Sequence, residues 1–584
     1  MFLDIIHTFI LNYFYSLQSK RPNVVIFMEE NLQQRVAVKE GLATPDEIQK
    51  MTFAKSPKEI LTIKALITAA IGSAILTASS LYVALRMGAL PWPSIFAVIV
   101  SMAIIKSLRG NLNEINVAHT GMTAGALLAG GLAFTVPALW MLGYKEVPIL
   151  GVLCGSIAAA IAGSLLTLLV RDFMIVHLKL PYPIGIASFL TLKAGDVGGK
   201  KARILLTAIL IAAIIVALRD GFGVIPAVIL FTALQAYNIF VGIGLFPMAL
   251  GIGYVIGLLY MGTWFIGALI SYLLIIPVAT MVLGYPLGVA YDFTRSLGVG
   301  LIIGGGLAII IKALIDFLRS PRRKVSLELS QRLQLPLRYV VLIAILCLVL
   351  LLAGGLDPLL ALIPVAAVFV MSIMAATITG QTGIDPMEIF GILVLLFAAW
   401  IFGGISITGG ILLTMFIACA VGVVGDLMND LKAGYLLETP PKYQVISEAL
   451  GGLVGALVGT LTLLMFVNVY GVEAFGPGKF FVAPQAYAVS ILLKGIPNVT
   501  AFTGGLIGGI ILGLLGIPTM TIGIGVYLPM VISVPAILGA LIRVIVDRKY
   551  PNYREYGIIF GSGLLGGEGL AGVIISLIFF LMLR

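Results

Sequence analysis

The sequence predicts an all-α, polytopic membrane protein, and three observations carry that reading. The 584 residues are 60% hydrophobic and 11% charged, with a mean hydropathy of +1.13. Soluble domains carry about 25% charged residues, so this chain cannot present an ordinary water-facing surface. Apolar runs of bilayer-spanning length, roughly 20 residues, recur from Ile60 to Leu583. Little of the chain alternates with period 2, so its backbone is expected to be satisfied within helices rather than around a barrel. About 16 hydrophobic segments are expected, some of them too short to span and therefore candidate re-entrant half-helices. Their number implies a multi-pass protein of the cell membrane.

The net charge of +10 does not imply nucleic acid. Lysines and arginines sit in short loops such as "RSPRRK" at 319–324 and "RVIVDRKYPNYR" at 543–554, where they act as topology determinants. Cys154, Cys347 and Cys419 lie singly in apolar sequence without metal-ligand spacing and read as small packing residues. The composition calls for no cofactor and assigns no metal ligands.

Residues 1–58 read as an arm, cytoplasmic or interfacial. "MFLDIIHTFILNYFYSL" lacks the basic start of a secretory signal, and Met28 is an alternative start; residues 29–58 are polar and charged.

From there the chain repeats itself. "GSIAAAIAGSLLTLL" from Gly155 matches "GGLVGALVGTLTLL" from Gly451, with Gly163 and Gly459 in register. Pro183, Ala187, Leu192 and Lys193 match Pro484, Ala488, Leu493 and Lys494. Gly251, Gly253 and "GALI" at 267–270 match Gly523, Gly525 and "GALI" at 539–542, and Gly88 and Pro91 match Gly383 and Pro386. Four blocks in one order imply a tandem duplication, 59–317 and 338–584, joined by a basic linker at 318–337 that should be cytoplasmic. About eight segments per half would make the repeats parallel; an odd number would invert them. Such duplicated bundles commonly hold transport sites at the repeat interface.

Three stretches break the apolar pattern. "LPYPIGIASFLTLKAG" and "FVAPQAYAVSILLKG" are too short to span, begin with proline and end with lysine, as half-helices or interfacial helices do. In 113–139, Asn116, His119, Thr120 and Thr123 form one stripe at helical spacing. A histidine there is either a structural hydrogen-bonder or part of a site. In "GDLMNDLKAGYLLETPPKYQ", Asp426 and Asp430 share a helix face, whereas Lys432 points nearly opposite. The two charges would meet only if the helix unwinds, which is expected over 426–435, while 438–444 reads as the membrane edge. An intramembrane carboxylate is functional by default.

These segments resemble the oligopeptide transporter (OPT) superfamily, which includes peptide carriers and yellow-stripe-like carriers of metal–chelator complexes. "NVAHTGMTAGALLAGGLAFTVPAL" keeps the family's Asn116, Thr120, Ala124, Gly125, Phe134, Thr135 and Pro137. "DLKAGYLLETPPKYQ" keeps Asp430, Lys432, Gly434, Thr439, Pro440 and Gln444, and "LPYPIGIA" and "GLLGGEGLAGV", with Glu568, resemble two further family blocks. The chain departs where His119 replaces a glutamine and where Ala126 and Ile184 replace glutamates, which removes two carboxylates and puts proton coupling through them in doubt. The absence of the Asn-Pro-Gly signature of the eukaryotic peptide branch leaves the compact prokaryotic or yellow-stripe-like side.

The resemblance implies a secondary active transporter of small peptides or peptide-like metal chelates, coupled to protons or another ion. Asn116, His119, Thr120, Tyr182, Gln381, Lys432, Tyr435, Gln485 and Tyr487 are the candidate substrate ligands, and Asp430 and Glu568 the candidate proton carriers. Its partners would be substrate, coupling ion, lipid and, as an option, further copies of itself. An intramembrane aspartyl enzyme is disfavoured because "VGD" at 424–426 follows Val423 where that signature needs glycine. No His-Glu-x-x-His occurs, and "GDVGGKK" lacks phosphate-loop spacing. A passive channel would be expected to show a filter repeat, and none is visible.

Overall fold

The long apolar runs fold as helices because a backbone in lipid has no water to bond. The computed structural model describes residues 36–43, 49, 51–88, 93–193, 198–235, 237–319, 337–382 and 385–582. Among them, eleven helices are long and apolar enough to cross a membrane, and six shorter apolar helices accompany them. Strand is confined to one hairpin of β1 (Val228–Leu230) with β2 (Gly242–Gly244). The alternative start at Met28 and nearly all of the basic linker lie outside the described residues.

In chain order the first half supplies α1 (Ile63–Met87), α2 (Pro93–Ser107), α3 (Leu112–Ala133), α4 (Ile149–Arg171), α5 (Pro183–Lys193), α6 (Gly198–Val216), α7 (Pro247–Ile256), α8 (Leu258–Leu269) and α9 (Leu287–Arg319). After α10 (Leu337–Ala353) the second half supplies α11 (Pro358–Thr382), α12 (Met387–Phe402), α13 (Ile407–Leu436), α14 (Pro441–Tyr470) and α15 (Pro484–Lys494). It ends with α16 (Val499–Leu514), α17 (Thr519–Tyr527), α18 (Met530–Lys549) and α19 (Arg554–Met582).

Glycines that match in sequence pack reciprocally across the two halves. A Cβ at Gly253 would lie 1.8 Å from the Ala536 carbonyl oxygen, and one at Gly525 would lie 1.8 Å from that of Trp264. In the two "GALI" runs, a Cβ at Gly267 or Gly539 would collide with the Ile522 or Leu250 carbonyl oxygen. Thus α7 packs on α18 as α17 packs on α8, with backbone touching backbone. Likewise α3 packs on α14 and α4 on α13.

The interior belongs to α3 and α13. From Gly409 to Leu436 nearly every side chain of α13 is buried, and α3 is buried on all faces. Asn111 caps α3 by accepting the Glu114 N–H, and Ser406 caps α13 by accepting the Gly409 N–H. The outer helices show the opposite pattern: Ile63, Ile67, Ile71 and Ile75 form an exposed apolar stripe along α1, fit for lipid.

The helix over 426–435 does not unwind. Helix α13 runs unbroken to Leu436, because nothing in "GDLMNDLKAGYL" removes a backbone donor. Glu438, at φ 57°, and the Thr439 N–H bonded to the Gly434 carbonyl turn the chain sharply into α14. Residues 437–440 connect two helices that are each long enough to span a membrane, and 441–444 form the first turn of the second, with Gln444 fully buried.

Candidate functional site

A polar cluster forms where α3 passes between α13 and α14. Two glycine contacts bring these helices close: a Cβ at Gly451 would sit 1.9 Å from the Gly121 carbonyl oxygen, and one at Gly455 would sit 2.5 Å from the Gly125 Cα. Residues one turn away then face each other. From α3 come Asn116, His119, Thr120 and Thr123; from α13, Asp426 and Asp430; from α14, Gln444, Ser447 and Glu448. All are buried.

Asp430 is the best connected. Its Oδ2 accepts from Thr123 at 3.1 Å, and its Oδ1 lies 3.6 Å from His119 Nε2. Gln444 donates to the Asp430 carbonyl at 2.7 Å and to the Thr120 hydroxyl at 3.1 Å, fixing α14 against both other helices. Asp426, Asp430 and Glu448 each offer an oxygen, and these oxygens lie within 4.8 Å of one another. Several polar atoms here have no hydrogen-bond partner: Asp426 Oδ2, both oxygens of Glu448, both side-chain polar atoms of Asn116, and the Ser447 hydroxyl. Buried groups are normally bonded, and each exception costs about 1–3 kcal/mol. Behind Asp426, Asp385 adds a fourth acid with both oxygens unpartnered, its carboxylate against Gly425.

The other candidate residues lie elsewhere. Lys432, on the far face of α13, pairs with Glu40 of the N-terminal arm at 3.0 Å, and its ammonium lies 5.4 Å from the centre of the Tyr435 ring. The lysine does not reach Asp430, as an intact helix requires. Arg171 approaches the same Tyr435 ring at 5.6 Å. Tyr182 enters α5 at φ 46° and donates its hydroxyl to the Ala376 carbonyl at 2.9 Å. Gly185 presses on the Asn429 carbonyl, seating the half-helix on α13. Gln381 stands in the last turn of α11; its side chain lies outside the described residues. On α15, Gln485 donates to the Gly88 carbonyl at 2.6 Å, and the Tyr487 ring packs 5.5 Å from that of Tyr527.

Glu568 belongs to a separate centre on α19. Its carboxylate accepts from Arg219 at 2.9 Å and from the Met248 N–H at 2.7 Å. Arg219 also binds Asp220 and the Leu245 carbonyl. Arg86 stacks on Phe480 nearby, 4.1 Å from its centroid.

Sequence reasoning left Glu448, Asp385 and Arg219 unassigned, and it noted Asp426 without assigning it a role. The signal for Glu448 was present: it is a carboxylate inside the apolar run "VISEALGGLVGAL", one turn after Gln444. Reading 438–444 as the membrane edge hid it.

Comparison with known proteins agrees with this architecture. Residues 60–579 match the family described as OPT oligopeptide transporter protein, and the chain belongs to that family. A chain of Haemophilus influenzae provisionally named an oligopeptide transporter is 25% identical over 592 residues, covering 85% of this chain and 92% of its own. Shorter matches join plant proteins. The iron-phytosiderophore transporter YSL15 of Oryza sativa subsp. japonica is 28% identical over 124 residues, 21% of this chain and 18% of its own. The iron-phytosiderophore transporter yellow stripe 1 of Zea mays is 30% identical over 107 residues, 18% of this chain and 15% of its own. The protein is a multi-pass membrane transporter and not an enzyme.

Proposed function

We propose that this chain is a secondary active transporter that moves small oligopeptides, or peptide-like metal-chelate complexes, in exchange with or alongside protons. The buried cluster of α3, α13 and α14 carries the reading: polar atoms without partners in the centre of an apolar bundle are sustained by a ligand rather than by folding. Asn116, His119 and Thr120 offer amide, imidazole and hydroxyl groups to a substrate on one wall, and Asp430 is the favoured proton carrier on the other. Glu568 is less suited to that role because Arg219 and the Met248 N–H already occupy both its oxygens. Lys432, Tyr435, Tyr182, Gln381, Gln485 and Tyr487 lie near the ends of the short helices or beside them and would act at the approaches. The reciprocal glycine packing supports a tandem duplication whose halves rock against each other in alternating access.

Uptake by proteoliposomes tests this. Labelled di- to tetrapeptides and iron or nickel chelates should accumulate with an imposed proton gradient and cease to accumulate when an ionophore collapses it. Asp430→Asn should abolish accumulation while preserving folding. Equal flux with and without the gradient would make the protein a passive pore and overturn the coupling; unimpaired uptake by the variant would remove Asp430 from the mechanism.

A further inference from the structure

We infer that Asp426, Asp430 and Glu448 form a binding site for one divalent metal cation, with His119 as its nitrogen donor. The site shares Asp430 and His119 with the proposed transport cluster, and metal binding is read separately from uptake.

The geometry comes first. Three carboxylate oxygens from two helices lie within 4.8 Å of one another, as ligands do around an ion with bonds of about 2.0–2.6 Å. His119 Nε2, 3.6 Å from Asp430 Oδ1, stands beside the group on α3, so the donors come from three helices. The unpartnered atoms come second. Both oxygens of Glu448 and Asp426 Oδ2 are buried without a hydrogen bond. These carboxylate oxygens are lone-pair donors without a partner, and a cation is the acceptor that could serve all of them at once.

Charge sets the valence. Among the described residues, no lysine or arginine pairs with Asp426, Asp430 or Glu448; Lys432, the basic residue closest in sequence, is held by Glu40 on the other face of α13. The groups facing the site are His119, Asn116, Thr120 and Thr123 from α3, Gln444 and Ser447 from α14, and Asp385 behind α13. None of them carries a fixed positive charge. A monovalent ion would compensate only one of the clustered carboxylates, and each buried charge left over costs several kcal/mol. A divalent ion compensates two. The donor set also selects among ions. Oxygen-rich sites suit magnesium, calcium and manganese, while an imidazole favours transition metals. Manganese(II) satisfies both.

The rigidity needed for selectivity is also present. Gly121 against Gly451 and Gly125 against Gly455 hold α3 on α14 by backbone contact, and Gln444 ties both to the Asp430 carbonyl. The carboxylates cannot simply move apart to relieve their repulsion.

The test uses the full chain purified in detergent and titrated with manganese(II) chloride, with free ion read by its electron paramagnetic resonance signal. One ion per chain should bind, calcium should compete weakly, and sodium at equal concentration should not compete. Glu448→Gln should weaken binding about tenfold or more, by loss of a ligand, and Asp430→Asn with Glu448→Gln should abolish it. Without metal, Glu448→Gln should melt no lower than the parent protein, because it removes one of three mutually repelling charges, so a loss of binding cannot be read as misfolding. His119→Gln should shift the preference from manganese toward calcium, whereas a merely structural histidine would leave the preference unchanged. The inference is overturned if manganese does not bind at millimolar concentration, if the double variant binds as the parent does, or if sodium displaces the ion.

Discussion

The bundle holds two buried centres of charge, and they are built on opposite rules. Around Glu568 every carboxylate oxygen has its donor: Arg219 bonds Glu568 and Asp220 together, and the Met248 N–H takes the remaining Glu568 oxygen. Around Asp430 three carboxylates gather with no lysine or arginine paired to them among the described residues, and three of their six oxygens have no hydrogen-bond partner. A completed ion pair holds helices in place and asks nothing of the surroundings. An incomplete one stores a demand that only a mobile charge can meet. On the function proposed above, this difference separates framework from working site.

Mutations at the two centres should therefore behave oppositely. Removing Arg219 strands two acids in the interior, so Arg219→Met should destabilise the protein by about 3–5 kcal/mol, read as a lower melting temperature in detergent. Adding Glu568→Leu should recover much of that loss. If Arg219→Met melts like the parent, the contrast fails at its framework end. Gly451→Val would push α14 off the Gly121 carbonyl and should cost about 1–3 kcal/mol by overpacking, with transport lost as the cluster opens. Asp430→Asn keeps an acceptor for Thr123 and removes a repelling charge, so its stability should change by about 1 kcal/mol or less even though accumulation stops; a fall as large as that of Arg219→Met would make Asp430 framework too. Smallest of all, Glu40→Gln loosens only the partly exposed tie between the arm and Lys432, worth about 1 kcal/mol at most. Faster proteolysis of the arm at unchanged core stability would show it.

Much of the fold was legible because lipid imposes few choices: long apolar runs become helices, and proline-led short runs become the half-length α5 and α15. The stripe of Asn116, His119, Thr120 and Thr123 and the shared face of Asp426 and Asp430 follow from helical spacing, and the structure brings the two faces together. What sequence carried as a lone carboxylate but could not place was the third wall. Glu448 joins the cluster only because Gly451 lets α14 approach α3, a contact between residues far apart in the chain. The expected unwinding near Lys432 failed for a related reason. It assumed that Lys432 and Asp430 needed each other, whereas the partner of Lys432 is Glu40, nearly 400 positions away, in a segment no local pattern connects to it.

The reciprocal glycine contacts have a mechanical consequence. Where α7 meets α18 and α8 meets α17, main chain lies on main chain, so there are few interlocked rotamers to disengage when one helix shifts along the other. Such a seam is a plain bearing: firm against pulling apart, smooth to sliding. Its wear points are Gly253, Gly267, Gly525 and Gly539, where one added methyl group would jam the joint without touching a charged residue.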